Sequence, residues 1–201
     1  MKQLGLNRSM ASALAICMFI SSGAVAGEPV HFVSSVDATT LSEKKRTSLG
    51  LYMTAGEAAE FVGSNEDALL IDIRTRAEVS FVGMPADADK NIPYMVMDEF
   101  WEFDEEKGTY KMEVNSLFAG ELDELLSERG LSKDSPIILM CRSGSRSARA
   151  TDLLASLGYT AVYSVVDGFE GDKAKNGIRN VNGWKNAGLI WSYSIRPDQA
   201  Y

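Results

Sequence analysis

The sequence predicts an α/β fold in which a central parallel sheet is covered by helices on both faces. Short apolar runs bounded by turn residues, which are typical of buried strands, alternate with segments whose apolar residues recur at helical spacing. The run over 68–73 is apolar except for one aspartate, as expected of a central parallel strand. A second run, over 136–140, opens at a proline and stops at Cys141, and the segment over 148–157 then returns to a helical pattern.

The remaining elements follow the same alternation. Residues 49–53 are predicted to form a short edge strand, and Thr54 stands three residues before Glu57, the capping-box spacing that starts a helix. Leucines at helical spacing predict a further helix over 118–131, and the last strand is predicted over 159–166. Ligands of such sheets lie beyond the carboxyl ends of the strands, so the loop after residue 141 is the expected place for a functional site.

Residues 1–26 are predicted to be a secretory signal peptide. Two basic residues precede an uncharged run over 10–26, and Ala24-Val25-Ala26 form a small-residue cleavage site. The apolar run is too short for a stable membrane span. We therefore expect a periplasmic or secreted protein that is not attached to the membrane after signal cleavage.

Residues 27–48 are predicted to form an N-terminal arm, mobile or loosely docked, and residues 49–201 a single domain. The net charge of the chain is −8, and loss of the two basic leader residues would take it to about −10. Such an acidic chain is a poor candidate for binding nucleic acid or an anionic membrane. The exception is local, because Arg142, Arg146 and Arg149 crowd one loop.

Signal cleavage would leave Cys141 as the only cysteine. Cys17 lies in the apolar part of the leader, and the bulky Ile16 before it disfavours a lipoprotein site. No intrachain disulfide is then possible, and an odd thiol in an exported protein indicates intermolecular pairing or reactivity. Because His31 is the only histidine, a Cys/His catalytic pair and a zinc site are both disfavoured, and we expect neither a metal nor a cofactor.

The loop after Cys141 has the features of an anion-binding nest. A strand, a tight Gly–Ser loop and a helix in this order aim backbone N–H groups at one point near the helix N-terminus. Arg142 and Arg146 flank the cysteine, and nearby positive charge lowers the pKa of a thiol. A cysteine that ends an apolar strand is otherwise an inert buried residue. The loop, the arginines and the helix favour an unshielded thiolate with a depressed pKa.

Residues 141–147, Cys-Arg-Ser-Gly-Ser-Arg-Ser, resemble the active-site loop of single-domain rhodaneses, which are sulfurtransferases. The resemblance spans roughly residues 50–192 and includes segments on both sides of this loop. These are Leu69-Leu70-Ile71-Asp72-Ile73-Arg74, Glu78, Gly83 and Asn91-Ile92-Pro93 upstream, and Asp167-Gly168-Phe169-Glu170-Gly171 with Gly183-Trp184 downstream. Met84 stands where members of the family usually carry a histidine.

The resemblance implies a single rhodanese-like domain with Cys141 as the catalytic nucleophile. Its thiolate would take sulfane sulfur from a small anionic donor such as thiosulfate, hold it as a persulfide, and pass it to cyanide, a thiol or a protein acceptor. The expected substrate-binding residues are those that follow the cysteine: Arg142, Ser143, Gly144, Ser145 and Arg146. Asp72 and Arg74 are expected to form a structural ion pair near the site. Arg74 also stands four residues before Glu78, at the spacing of a helical ion pair.

Two other functions stay open. Cysteine-dependent phosphatases also hold a thiolate in an anion-binding loop, but their arginine lies six positions after the cysteine, where this chain has Ser147. A non-catalytic module of the cell envelope, such as a persulfide carrier, a redox sensor or a binding protein, would keep the fold and the thiol. The acidic and aromatic insertion over 98–112 could bind a partner, although the expectation that we favour is a half-buried cap over the core.

Overall fold

The structure, a computed structural model of the chain, describes residues 32–201. The predicted signal peptide, with Cys17, and also His31 lie outside the described residues. No helix within the described range is long and apolar enough to cross a membrane. In chain order the elements are β1 Tyr52–Met53, α1 Ala55–Ser64, β2 Leu69–Asp72, α2 Arg76–Val82, β3 Met84–Pro85, β4 Lys90–Asn91, β5 Met95–Met97, β6 Phe103–Asp104, β7 Thr109–Tyr110, β8 Met112–Val114, α3 Phe118–Arg129, β9 Ile137–Met140, α4 Ser145–Ser156, β10 Val162–Val165 and β11 Trp191–Ser192.

Five parallel strands form the central sheet, in the order β1–β10–β9–β2–β4. β9 occupies the middle, where Leu139 is in register with Ile71 of β2 on one side and with Ser164 of β10 on the other. Because every pairing in this sheet is parallel, the carboxyl ends of the strands lie along one edge. The predicted α/β architecture is confirmed, and Cys141 follows the central strand at that edge.

Alternate side chains of the strands supply a hydrophobic core on each face of the sheet. Ile137 and Leu139 of β9 belong to the core that contains apolar residues of α3 and α4. Ile138 and Met140 belong to the core that contains apolar residues of α1 and α2. All four side chains are completely buried, as expected of a strand covered on both faces. The prediction of helices on both faces is therefore confirmed.

Two capping boxes set the helix starts that shape the site. The Thr54 hydroxyl accepts a hydrogen bond from the Glu57 N–H, and the Glu57 carboxylate accepts one from the Thr54 N–H, so α1 begins where the sequence predicts. Thr75 and Glu78 form the same arrangement at the start of α2. Because α2 begins only after Thr75, Arg74 precedes the helix. The prediction that Arg74 and Glu78 stand four apart on one helix is therefore wrong.

An ion pair and hydrogen bonds hold the N-terminal arm to the domain. Lys45 Nζ lies 2.8 Å from Asp172 Oδ1. The N–H and the hydroxyl of Ser48 both donate to Asp152 of α4, at 2.7 and 2.8 Å. Lys45 and Ser48 therefore attach the end of the predicted arm to the domain. Polar contacts with residues distant in the chain, which hydrophobic periodicity does not reveal, hold the arm in place.

The acidic and aromatic segment forms a hairpin, β6–β7, whose rings face solvent. Trp101, Phe103 and Tyr110 are each about half exposed, and Phe100 is exposed still further. The Tyr110 ring makes edge-on contacts with Trp101 and Phe103, at centroid distances of 5.6 and 5.8 Å. The expected cap over the core is therefore wrong, because these three rings pack on one another and none of them packs against either hydrophobic core of residues 32–201.

The chain after β10 folds back over the cysteine loop. N–H groups of residues 169–171 donate to the carbonyl groups of Cys141 and Arg142, at 2.8 to 3.2 Å. Gly168 has a φ of +64° and packs so closely that a side chain there would lie 2.5 Å from the Cys141 carbonyl oxygen. Residues 167–171, called here the return segment, thus lie directly against the cysteine loop.

We predict that Gly168→Ala destabilises the fold more than Gly177→Ala does. Both glycines have a positive φ, so either substitution costs roughly 1–2 kcal/mol of backbone strain. Only at Gly168 would the new methyl group overlap neighbouring backbone, which adds about 1–3 kcal/mol. Urea denaturation of the two variants measures the difference. Equal losses of unfolding free energy would contradict the close packing of the return segment.

Candidate active site

Cys141 lies directly after β9, at the start of the loop that leads into α4. Gly144 takes a left-handed conformation, with φ +95°, and is the N-cap residue of α4. A side chain on Gly144 would lie 2.2 Å from the Val166 carbonyl oxygen, so only glycine fits between the loop and the chain that follows β10. This tight turn brings the N–H groups of the loop round to the cysteine side chain.

Hydrogen-bond partners surround the Cys141 sulfur. The Gly144 nitrogen lies 3.1 Å from Sγ and donates its hydrogen to it, and the Ser147 hydroxyl oxygen lies 3.7 Å from Sγ. The Ser147 hydroxyl also donates to the Gly144 carbonyl at 2.9 Å, and it accepts a hydrogen bond from Ser164 of β10 at 3.1 Å. The first turn of α4 and the loop are therefore held in a fixed arrangement around the sulfur.

Cys141 is buried, with only 1% of its surface exposed. The expectation of an unshielded thiol is therefore wrong. Its side chain joins the core on the α3 and α4 face of the sheet, and the return segment binds the loop backbone from outside. Hydrogen bonds and charges act more strongly in such a screened site than they do in water.

Burial raises the pKa of the Cys141 thiol, but the groups around it outweigh burial and bring the pKa below its ordinary value. The strongest of these groups is the charged Arg146, followed by the N–H groups of Ser147 and Ser143. Each of them favours the thiolate over the thiol. The pKa shift has the direction that the sequence predicts, and it favours the nucleophilic form of the sulfur.

Arg146 acts on the sulfur from within a buried ion pair. Its Nη1 and Nη2 atoms lie 2.7 and 2.5 Å from the two carboxylate oxygens of Glu78, and only 8% and 19% of the two side chains are exposed. Burial raises the pKa of Glu78, but the hydrogen bonds and charge of Arg146 outweigh burial and lower that pKa to about 2. Glu78 therefore fixes the guanidinium and neutralises the charge that we expected to attract and orient a substrate.

The other expected substrate-binding residues form one turn around Cys141. Arg142 is exposed, whereas Ser143 and Ser145 are half-buried. Across residues 32–201 no hydrogen bond or ion pair is formed by the Arg142 side chain. Arg149 is exposed as well, but its Nη2 atom lies 3.4 Å from the Met95 sulfur. Of these two arginines, Arg142 is the one that belongs to the cysteine loop itself.

Asp72 and Arg74 form a completely buried ion pair at the end of β2. Arg74 Nε and Nη2 lie 2.9 and 2.5 Å from the two Asp72 carboxylate oxygens, and Nη2 also donates to the Gly83 carbonyl at 2.7 Å. The guanidinium carbon of Arg74 lies 3.9 Å from the centre of the Phe169 ring. The pair therefore joins the end of β2 to the return segment, which is the structural role expected of it.

Three further residues belong to the site although the sequence alone does not assign them to it. Glu78 holds Arg146, and the capping box at the start of α2 is the signal that places it at the carboxyl edge of the sheet. Ser164 donates a hydrogen bond to the Ser147 hydroxyl. The sequence signal for Ser164 is a hydroxyl residue inside an apolar strand. Arg179 reaches the return segment from the loop over 172–182, and no periodicity in the sequence reveals that contact.

The loop lacks the arginine that a cysteine-dependent phosphatase needs. Ser147 is completely buried, and its hydroxyl is turned toward the Gly144 carbonyl, so position 147 does not face an incoming phosphate group. The neighbouring Arg146 is bound to Glu78. In the part of the chain that the structure describes, no group of three or more His, Cys, Asp or Glu side chains is placed to hold a metal ion.

Comparison with known proteins shows which family has these features. A family model for the rhodanese-like domain matches residues 54–175. The uncharacterized protein RP600 of Rickettsia prowazekii is 30% identical over 129 residues, which make up 64% of this chain and 86% of that protein. A thiosulfate sulfurtransferase, GlpE of Tolumonas auensis, is 42% identical over 41 residues, or 20% of this chain and 39% of that protein.

Among solved structures, the crystal structure of Rv0390 from M. tuberculosis is similar to this chain. The two are 31% identical in sequence, with a TM-score of 0.52. The match covers 70% of this chain and 96% of Rv0390, so nearly the whole of that protein corresponds to the domain described above.

We predict that Arg146→Gln raises the pKa of Cys141 and that Arg149→Gln leaves it nearly unchanged. Arg146 is the strongest of the groups that stabilise the thiolate, and its loss also leaves Glu78 as an unpaired negative charge near the sulfur. Arg149 is directed toward Met95. The rate of iodoacetamide alkylation against pH gives the pKa of each variant. Equal shifts would show that positive charge in general, and not the buried ion pair, stabilises the thiolate.

Proposed function

The chain belongs to the family of rhodanese-like domains, within the sulfurtransferase superfamily, and from that premise we propose that it transfers sulfane sulfur from a small anionic donor such as thiosulfate to cyanide or a thiol. The observation that carries the proposal is the environment of Cys141: a thiol held at the start of α4, whose pKa is lowered by Arg146 and by loop N–H groups. Such a thiolate attacks sulfur without a general base.

In the first step the Cys141 thiolate attacks the outer sulfur of thiosulfate. A sulfur–sulfur bond forms to Cys141, the sulfur–sulfur bond within thiosulfate breaks, and sulfite leaves with the electron pair of that bond. The terminal sulfur of the new persulfide keeps the negative charge that it carried in thiosulfate. Loop N–H groups, such as that of Gly144, are the donors available to hold this charge.

In the second step cyanide or a thiolate attacks the terminal sulfur of the persulfide. The bond formed in the first step breaks, its electron pair returns to Cys141, and the product is thiocyanate or the persulfide of the acceptor. No external oxidant or reductant is required. In each step the attacking atom donates an electron pair to sulfur, and the leaving group takes away the electron pair of the bond that breaks. Sulfite departs before the acceptor reacts, so we expect ping-pong kinetics.

A non-catalytic persulfide carrier is the second candidate function, and two observations favour it. Cys141 is almost completely buried, which restricts access by small acceptors. The exposed rings of the β6–β7 hairpin, Trp101, Phe103 and Tyr110, offer a surface on which a protein partner could dock. A carrier would form the persulfide with its donor but release the sulfur only to such a partner.

We also propose that the protein is exported to the periplasm or secreted and that the mature chain starts at Gly27. The support is the apolar run over 10–26 and the small-residue site Ala24-Val25-Ala26 that ends it. N-terminal sequencing of the protein isolated from the cell envelope or the medium should begin at Gly27. A chain that keeps Met1, or one that carries lipid on Cys17, would contradict this localisation.

We predict that intact-mass measurement of the protein after incubation with thiosulfate shows a gain of one sulfur atom. Cyanide or a thiol added afterwards should remove that sulfur, since both attack the terminal sulfur of a persulfide. The matched control is Cys141→Ser, which is nearly isosteric and should abolish the gain while leaving the fold intact. Hydrolysis of an aryl phosphate should stay at background in both proteins, because position 147 carries no arginine.

The outcomes separate the candidate functions. A persulfide that forms but resists every small acceptor would favour the carrier. Failure to gain sulfur from any sulfane donor, together with cleavage of the aryl phosphate that Cys141→Ser abolishes, would overturn the proposal.

A further inference from the structure

We propose that Arg179 joins Arg142 in a cationic pair beside the Cys141 loop, which makes the site selective for donors that carry negative charge beyond the transferable sulfur. The inference rests on the sulfurtransferase function proposed above and names its substrate class. It also assigns a specificity role to Arg179, a residue of the loop over 172–182.

The chain needs such local positive charge to attract an anion. Its net charge is −8, which repels anionic substrates at a distance. Arg146 contributes little net charge to an incoming anion, because Glu78 neutralises it in a buried ion pair. Recognition of an anion therefore falls to other cations near the loop.

Hydrogen bonds hold the Arg179 side chain on the return segment, which in turn binds the main chain of Arg142. Arg179 Nη1 lies 2.5 Å from the Gly171 carbonyl oxygen, and the Gly171 N–H donates to the Arg142 carbonyl at 3.2 Å. Burial lowers the pKa of Arg179, and the like charge of Arg142 lowers it further, while a charged Cys141 acts in the opposite direction. Arg179 therefore lies within electrostatic reach of both the exposed arginine and the nucleophile.

The loop that carries Arg179 is held in place by side chains on both sides. Asn182 Oδ1 accepts a hydrogen bond from the Asp172 N–H at 2.8 Å, and Lys45 of the arm pairs with the Asp172 carboxylate at 2.8 Å. The Asn186 side chain donates to the carbonyl groups of Asn182 and Arg179, at 2.8 and 3.4 Å. Anion recognition by a held group loses little conformational entropy, so this loop is suited to a binding role.

The two arginines leave a charge that an anion would satisfy. Like charges close together repel, and within residues 32–201 neither Arg142 nor Arg179 forms an ion pair with a carboxylate. Two acidic side chains act on Arg179. Asp172 is paired with Lys45, so Glu170 is the one of these two carboxylates left to offset the charges of the two arginines. A bound dianion would relieve the repulsion between the two guanidinium groups, which an uncharged donor could not do.

Arg179 lies beyond residues 54–175, the part of the chain that the family model matches. Cys141 and its loop lie within that range. A contribution from Arg179 would therefore set the substrate preference of this chain and not the sulfur chemistry that it shares with its relatives.

The ratio of two alkylation rates tests the proposal without requiring sulfur transfer. Iodoacetate is an anion and iodoacetamide is neutral, yet both alkylate the same Cys141 thiolate, so their rate ratio cancels any change in the cysteine pKa. Arg179→Gln should lower the iodoacetate-to-iodoacetamide ratio roughly five- to tenfold, and Arg179→Lys should keep most of it. The matched control is Lys175→Gln, which removes one charge from an exposed position of the same loop and should change the ratio less than about twofold.

A second measurement uses two sulfur donors of different charge. Thiosulfate is a dianion, whereas methanethiosulfonate carries one negative charge on the same sulfane group. Persulfide formation by Arg179→Gln should slow roughly tenfold with thiosulfate and clearly less with methanethiosulfonate. Equal slowing with both donors would overturn the claim of charge selectivity.

The two measurements distinguish failure of this inference from failure of the proposed function. If Arg179→Gln and Lys175→Gln lower the alkylation ratio equally, or if neither changes it, Arg179 has no specific role and the inference is overturned. If the ratio falls only in Arg179→Gln but the wild-type protein gains no sulfur from either donor, anion recognition by Arg179 stands and the sulfurtransferase function fails.

Discussion

A buried thiol whose pKa is lowered by its neighbours is the feature on which the rest of the site depends. Cys141 ends the central strand of a sheet covered on both faces, where burial by itself favours the neutral thiol. The chain offsets that cost with the Gly144 N–H and with the charge of Arg146. Arg146 is in turn buried, and it is stable there because Glu78 neutralises it through two hydrogen bonds. Lowering the pKa of Cys141 therefore requires the buried Arg146, and burying Arg146 requires Glu78.

Close backbone packing is what makes this arrangement possible. Gly144 lies against the Val166 carbonyl and Gly168 against the Cys141 carbonyl, and a methyl group at either position would overlap those atoms. The Asp72–Arg74 pair adds a further link, because the Arg74 guanidinium lies on the Phe169 ring of the return segment. The cysteine loop is thus held in place by segments distant in the chain, and donors that are already fixed can hold charge without reorganising.

The fold and the position of Cys141 in it were largely predictable from local signals, while the contacts around Cys141 were not. The apolar strand before Cys141, the Gly–Ser loop and the capping box at Thr54 are short-range patterns, and the structure has the strands and helices that they predict. Burial of Cys141 was missed because it results from packing of its side chain into the core on the α3 and α4 face, and the return segment over 167–171 binds the loop backbone besides. Contacts of Glu78 with Arg146 and of Lys45 with Asp172 also join distant segments. Exposure of the hairpin rings depends on where the insertion lies relative to the core, which alternating aromatic and acidic residues do not specify.

The most direct test of a buried thiolate is its ultraviolet absorbance, titrated with acid in the wild-type protein and in Cys141→Ser. The difference between the two titrations isolates the sulfur of Cys141 and depends on no substrate or alkylating reagent. Stabilisation by Arg146 and the loop N–H groups predicts that the thiolate signal persists well below a pH of about 8.5, the usual pKa of a free thiol. A midpoint at or above that value would mean that burial outweighs Arg146 and the loop N–H groups. That result would contradict a stabilised Cys141 thiolate.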